Sequence, residues 1–176
     1  MSADRPRRER ARYTGSVIAV ELVSVRLDLP ARAPVMILRE REGAGRILPI
    51  LIGAAEADAI DLQLRGIVPP RPLTHDLLRH VIEELGASVT SVVVSDLRDY
   101  TFFAELHLQV AGGPHVLSAR PSDSIALAVR VGCPLFVAEA VMDEAGQVPL
   151  EAPEPSAELL EEFQVFIENV TPDDFT

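Results

Sequence analysis

The chain has 176 residues, 48% of them hydrophobic, and a formal net charge of −11, which suits one globular domain with a full core rather than a disordered chain. No apolar run approaches the roughly 18 residues that cross a bilayer. The single cysteine, Cys133, excludes an intrachain disulfide and a cysteine-based zinc site.

The start of the chain, MSADRPRRERAR, is charged and no apolar h-region of a secretory signal follows it. A cytoplasmic protein with no membrane association is expected. All 16 basic residues are arginine, and from Glu139 onward the chain carries acids only. A passive nucleic-acid binder usually shows a basic face, and the balanced body advertises none. Basic residues do crowd the first positions, at Arg5, Arg7, Arg8, Arg10 and Arg12. Residues 1–14 are expected to be a disordered basic arm, either a solubilising tail or a phosphate-seeking one.

Ser16 to Val25, rich in valine and isoleucine, reads as a strand. Pro34 to Arg39 and Arg46 to Ile52 read as a hairpin around EREGAG. Ala, Glu and Leu dominate Ala54 to Arg65, and Gly66 closes that stretch, so it is read as a helix. After the stiff Pro69–Pro72 connector, Leu77, Leu78, Val81, Ile82 and Leu85 recur at helical spacing until Gly86. Ser88 to Ser95 and Thr101 to Val110 read as a second hairpin, and Val116 to Ala119 as a short strand. RPSDSIALAVRVG is apolar nearly all round, which marks a buried helix closed by Gly132. Leu135 to Ala138 reads as a short strand. Ser156 to Val170 reads as an amphipathic helix, with Leu159, Leu160, Phe163, Phe166, Ile167 and Val170 on one side.

These elements do not alternate strictly. They read as α+β, a single compact domain with a largely antiparallel or mixed sheet packed by about four helices. The folded domain is placed at 15–140, an acidic, proline-rich linker at 141–155, and a C-terminal amphipathic helix and tail at 156–176.

The triplet Thr74-His75-Asp76 opens the second helix. Thr74 is a good N-cap, and Asp76 suits the positive end of the helix dipole. Helix physics accounts for both. It does not account for His75, because a cation is mildly unfavourable there. His75, Asp76, Arg79, His80 and Glu83 all lie off the apolar stripe, either as a solvated face or as a functional one. RPLTHDLL (Arg71 to Leu78) and RPSDSIAL (Arg120 to Leu127) share an order of Arg-Pro, a hydroxyl residue and an acid at a helix start. Two such mouths would bind phosphate if they face one cleft. Otherwise Pro presets the first turn, Ser122 or Asp123 caps it, and Arg120 pairs with a nearby acid.

Glu56 and Asp58 in the first turn of the first helix either complement its dipole or offer a carboxylate to a divalent ion such as Mg2+. Asp96, Asp99 and Glu105 read as turn and strand-face residues. His107 and His115 lack metal spacing. Ser118, Ser122 and Ser124 lack a nucleophile-elbow context, and GAGR is no phosphate loop.

Four ordered segments carry a resemblance: LPILIGAAEADAI (Leu48 to Ile60), RPLTHDLL, LRDYTFFAEL (Leu97 to Leu106) and SARPSDSIALAVR (Ser118 to Arg130). Across Gly15 to Ala140 the chain resembles the bifunctional nuclease domain family of bacteria and plants, and its end, VTPDDF, resembles actinobacterial members. The resemblance implies a compact α+β fold that self-associates as a homodimer or other homo-oligomer. It also implies a nuclease acting on RNA and DNA. The motif positions it carries over are Glu56, Arg71, His75, Asp76, Arg120 and Asp123. On this reading Arg71 and Arg120 hold the scissile phosphate, His75 is the general acid or base, and Asp76, Asp123 and Glu56 orient it or bind Mg2+. The alternative is a non-catalytic dimeric scaffold or a regulatory module that binds an anionic ligand. One departure stands out. The family's Asp-Gly turn is Asp99-Tyr100 here, and a two-residue turn with positive φ is disfavoured for Tyr.

Overall fold

The structure is a computed structural model that describes residues 15–28 and 32–149. The expected basic arm and the expected helix at Ser156 to Val170 fall outside those residues.

Strands β1 (Val17–Asp28), β2 (Ala33–Glu40) and β3 (Ile47–Leu51) form one antiparallel meander. Strands β4 (Ser88–Arg98), β5 (Thr101–Val110) and β6 (Gly113–Ala119) form another. The four-residue strand β7 (Leu135–Ala138) joins them, antiparallel to β1 and parallel to β4. The result is one seven-stranded mixed sheet in the order β3-β2-β1-β7-β4-β5-β6.

Among the described residues the helices are α1 (Ala54–Leu64), α2 (Thr74–Glu84), α3 (Pro121–Val131) and α4 (Glu139–Ala145). The α+β reading with a mixed sheet therefore holds. The short α4 was not anticipated: it occupies 139–145, where the sequence suggests the passage into an acidic linker. Its Val141 and Met142 are core residues. Arg46 also bonds both the buried Glu40 and Asp143, at 2.7 Å each, which ties the β2–β3 hairpin to α4.

Strand alternation divides the core. Val92, Val94, Leu106 and Leu108 meet Ile60 of α1, Ile125 and Leu127 of α3, and Met142 of α4 in one large cluster. Each such buried side chain contributes roughly 1.5–3 kcal/mol. The alternate residues Val17, Val93 and Phe136 form a small second cluster, to which no described helix contributes a buried residue. Helix α3 is the hub of the helical layer. Eight of its residues are buried, it touches both α1 and α2, and Gly132 closes it at φ 72°.

Helix α2 packs the reverse of what its pattern suggests. Its one buried residue is His75, while Leu77, Leu78, Val81 and Leu85 are exposed. Only Ile82 of the stripe packs against the core. Its N-cap also differs from expectation: Thr74 is already helical and Leu73 is the cap residue. Asp76 instead reaches back, and its carboxylate accepts from the Leu73 backbone N–H at 2.9 Å. Neither Ser122 nor Asp123 caps α3, whose N-cap is Arg120.

Candidate functional site

Arg120 links β6 to α3 as the helix N-cap, so its side chain lies by the helix starts. Its Nε donates to Asp123 Oδ2 at 2.6 Å, and its Nη2 to Asp123 Oδ1 at 2.9 Å. The same Nη2 donates to Glu56 Oε1 of α1 at 2.7 Å. Behind Asp123, His75 Nε2 of α2 stands 3.4 Å from Oδ1. The cluster thus gathers side chains from three of the four described helices, with Arg120 on Glu56 and Asp123 and His75 on Asp123. The cluster is graded from outside to inside: the Arg120 side chain is 65% exposed, that of Asp123 32%, and that of His75 11%.

The electrostatics follow from this packing. Burial pushes the Asp123 carboxyl up, but hydrogen bonds from Arg120 and His75 more than offset it, and the net value lies below the ordinary one. Arg120 is held above its usual value by its bonds to Asp123 and Glu56.

Gly53, the N-cap of α1, makes room for this arrangement. A Cβ there would sit 2.2 Å from Glu56 Oε2, so any other residue would push the Glu56 carboxylate aside. Gly53 escaped the sequence reading because a glycine before a helix looks like a simple start.

A depression of about 430 Å³ adjoins Arg120, bordered by Gly53, Ser122, Tyr100 and Phe102. Tyr100 stands fully exposed at the β4–β5 tip. The two-residue turn survives the missing glycine: Asp99 has φ 47° and Tyr100 φ 60°. An L-residue in that region costs roughly 1–2 kcal/mol.

Asp76 and Arg71 lie elsewhere. Asp76 accepts from Arg130 Nε at 2.7 Å, and Arg130, nearly enclosed, also donates to the carbonyls of Ala126 and Ala59. Burial raises the Asp76 carboxyl, while the Leu73 N–H and Arg130 more than reverse it. Asp76, Arg71 and Arg130 line a second pocket that does not include Arg120. The two Arg-Pro mouths therefore do not share a cleft. Arg130 escaped the sequence reading, although a lone arginine in an otherwise apolar helix was its signal.

A divalent cation finds no ready donor set. Among the described residues no three His, Cys, Asp or Glu side chains are grouped as metal ligands. The Arg120 guanidinium also takes the position between Glu56 and Asp123 that a cation would need. The described residues do not fit a resident metal. No described helix is long and apolar enough to cross a membrane.

The bifunctional nuclease domain family matches residues 36–149. Two sequences from Mycobacterium tuberculosis strains, both named only as uncharacterized proteins, are 45% identical over 162 residues, covering 89% of this chain and 96% of theirs. Bifunctional nuclease 2 of Arabidopsis thaliana is 28% identical over 115 residues, which is 62% of this chain and 35% of that protein. Bifunctional nuclease 1 of the same plant is 26% identical over 107 residues, 59% of this chain and 33% of that one.

Proposed function

Because the chain belongs to the bifunctional nuclease domain family, we propose that it hydrolyses phosphodiester bonds in RNA and DNA at the Arg120 cluster. The observation that carries this is the exposed guanidinium shared between two carboxylates, with an imidazole behind one of them. A nucleic-acid phosphate competes with Glu56 and Asp123 for Arg120. As Arg120 turns to the phosphate, Asp123 loses the partner that depresses its basicity. Asp123 then accepts a proton from the attacking water, and His75 stabilises it from behind. The new P–O bond forms from that water. The ester P–O bond breaks, and the leaving alkoxide takes a proton from solvent. No step passes through a metal. Tyr100, exposed beside Arg120, offers a face on which a base can stack.

The test is cleavage of end-labelled single-stranded RNA and DNA by the full chain, with EDTA and with added Mg2+. His75→Ala and Arg120→Ala variants are purified identically. Loss of about 10²–10⁴-fold in both folded variants is the expected result. Equal activity in all three proteins would sink the proposal. One observation favours the second reading, a non-catalytic module that binds an anion: each carboxylate of the cluster already has a cationic partner. That reading gains if the chain binds the strands and cuts none.

Self-association is part of the same proposal. The outward stripe of Leu77, Leu78, Val81 and Leu85 is a contiguous apolar face of the kind that marks interfaces. Two α2 helices related by a two-fold axis present that stripe to each other.

A further inference from the structure

The Arg120 cluster leaves Arg71 and Arg79 unused. Both line the second pocket, a cavity of about 350 Å³ between α2 and the α1–α2 connector. Among the described residues the only carboxylate in its lining, Asp76, is neutralised by Arg130 at 2.7 Å. Arg71 makes no hydrogen bond or ion pair with a described residue. Arg79 is poorly matched. Its Nε is buried and has no hydrogen-bond partner, and its ion pair with the exposed Glu83 carboxylate is long, at 3.9 Å. Its Nη2 has only the ring nitrogen of His80, at 3.0 Å.

A buried guanidinium N–H without an acceptor is costly. Arg71, with no described counter-ion, and Arg79, with only a long ion pair to the exposed Glu83, leave surplus positive charge on one cavity and favour an anion that carries more than one negative charge. A carboxylate or a phosphodiester brings one. A phosphomonoester brings close to two, and its three oxygens suit paired arginine forks. Leu62, Ile67 and Pro72 on the remaining wall favour an apolar or aromatic body beside the phosphate.

We propose that this pocket binds a phosphomonoester carried on an aromatic body, with Arg71 and Arg79 holding the phosphate, at a site separate from the Arg120 cluster. That chemistry occurs in a free nucleoside monophosphate and at the 5′-phosphorylated end of a strand. The proposal does not depend on nuclease activity.

The test is calorimetric titration of the full chain with AMP and adenosine, and of the full-length Arg120→Ala variant, whose proposed strand-cutting cluster is disabled, with a pentanucleotide carrying either a 5′-phosphate or a 5′-hydroxyl. Either phosphorylated probe is expected to bind at one site per chain, with adenosine and the 5′-hydroxyl strand silent. Binding of AMP assigns the site to free nucleotides, and binding of the phosphorylated strand alone assigns it to strand ends. Arg71→Ala and Arg79→Ala are each expected to weaken binding about tenfold or more, while Arg120→Ala leaves it unchanged. Arg71 is exposed, so its variant keeps the fold. Failure of both phosphorylated probes, undiminished affinity in the Arg71 and Arg79 variants, or loss of binding in Arg120→Ala would each overturn the proposal.

Discussion

His75 and Asp76 are neighbours in the chain, and α2 sends them to different partners. His75 stands 3.4 Å from Asp123 in the Arg120 cluster, while Asp76 accepts from Arg130 at 2.7 Å beside the second pocket. One helical turn thus supplies both places, and a displacement of α2 shifts them together.

Asp76→Asn should be strongly destabilising. Asn still accepts from the Leu73 N–H, so the change isolates the lost charge. Arg130, with a side chain only 3% exposed, would then be left without a counter-ion. Breaking such a pair from one side costs about 3–5 kcal/mol. Urea denaturation of the two proteins measures it, and a loss below about 1 kcal/mol would count against this account.

Stability should also fall in acid with a definite sign. Asp76 and Asp123 are both held below the ordinary carboxylate value. Their contribution is fully present above the unfolded value of about 3.9. It is lost as pH drops through the lower folded values. Thermal melts should be insensitive to these groups near neutrality and decline below about pH 4. In Asp123→Asn the decline should be shallower, and an unchanged acid limb would refute the assignment.

Much of this was legible. Polar–apolar alternation marked β5 and a short apolar run marked β7, both to the residue, and Gly132 marked the end of α3. The orientation of α2 was not, because a pattern of apolar residues says which face is apolar and not which way that face points. Here the start of the polar face turns inward because Arg130 and Asp123 of α3 provide polar partners for Asp76 and His75 there. Glu56, Arg120, Asp123 and His75 were legible as candidates, while their grouping, with Arg71 left out, required the tertiary fold.

Tyr100→Gly should stabilise the domain. The turn needs positive φ at both central residues, and Tyr100 has it at φ 60°. Glycine relieves about 1–2 kcal/mol of strain, partly offset by roughly 0.5–1 kcal/mol of unfolded-chain entropy. A net gain of up to about 1.5 kcal/mol is expected in denaturant titration. If Tyr100 stacks a base, the same variant should bind single strands more weakly while melting higher.

Leu77→Glu with Leu85→Glu should leave the folded monomer intact, since both side chains are exposed. Sedimentation of the wild-type chain is expected to show a dimer and the double variant a monomer. A wild-type chain that remains monomeric at high micromolar concentration would remove the α2 interface.

Strand β7 has one more consequence, in the order of events during synthesis. It pairs Val17 with Ala138 and Val94 with Val137, so the seam between the two meanders joins residues from opposite ends of the described chain. Such remote pairing is slow to form. Until the residues near Ala138 leave the ribosome, β1 and β4 each lack the strand that pairs with one of their edges in the fold. The last strand to arrive closes both edges at once.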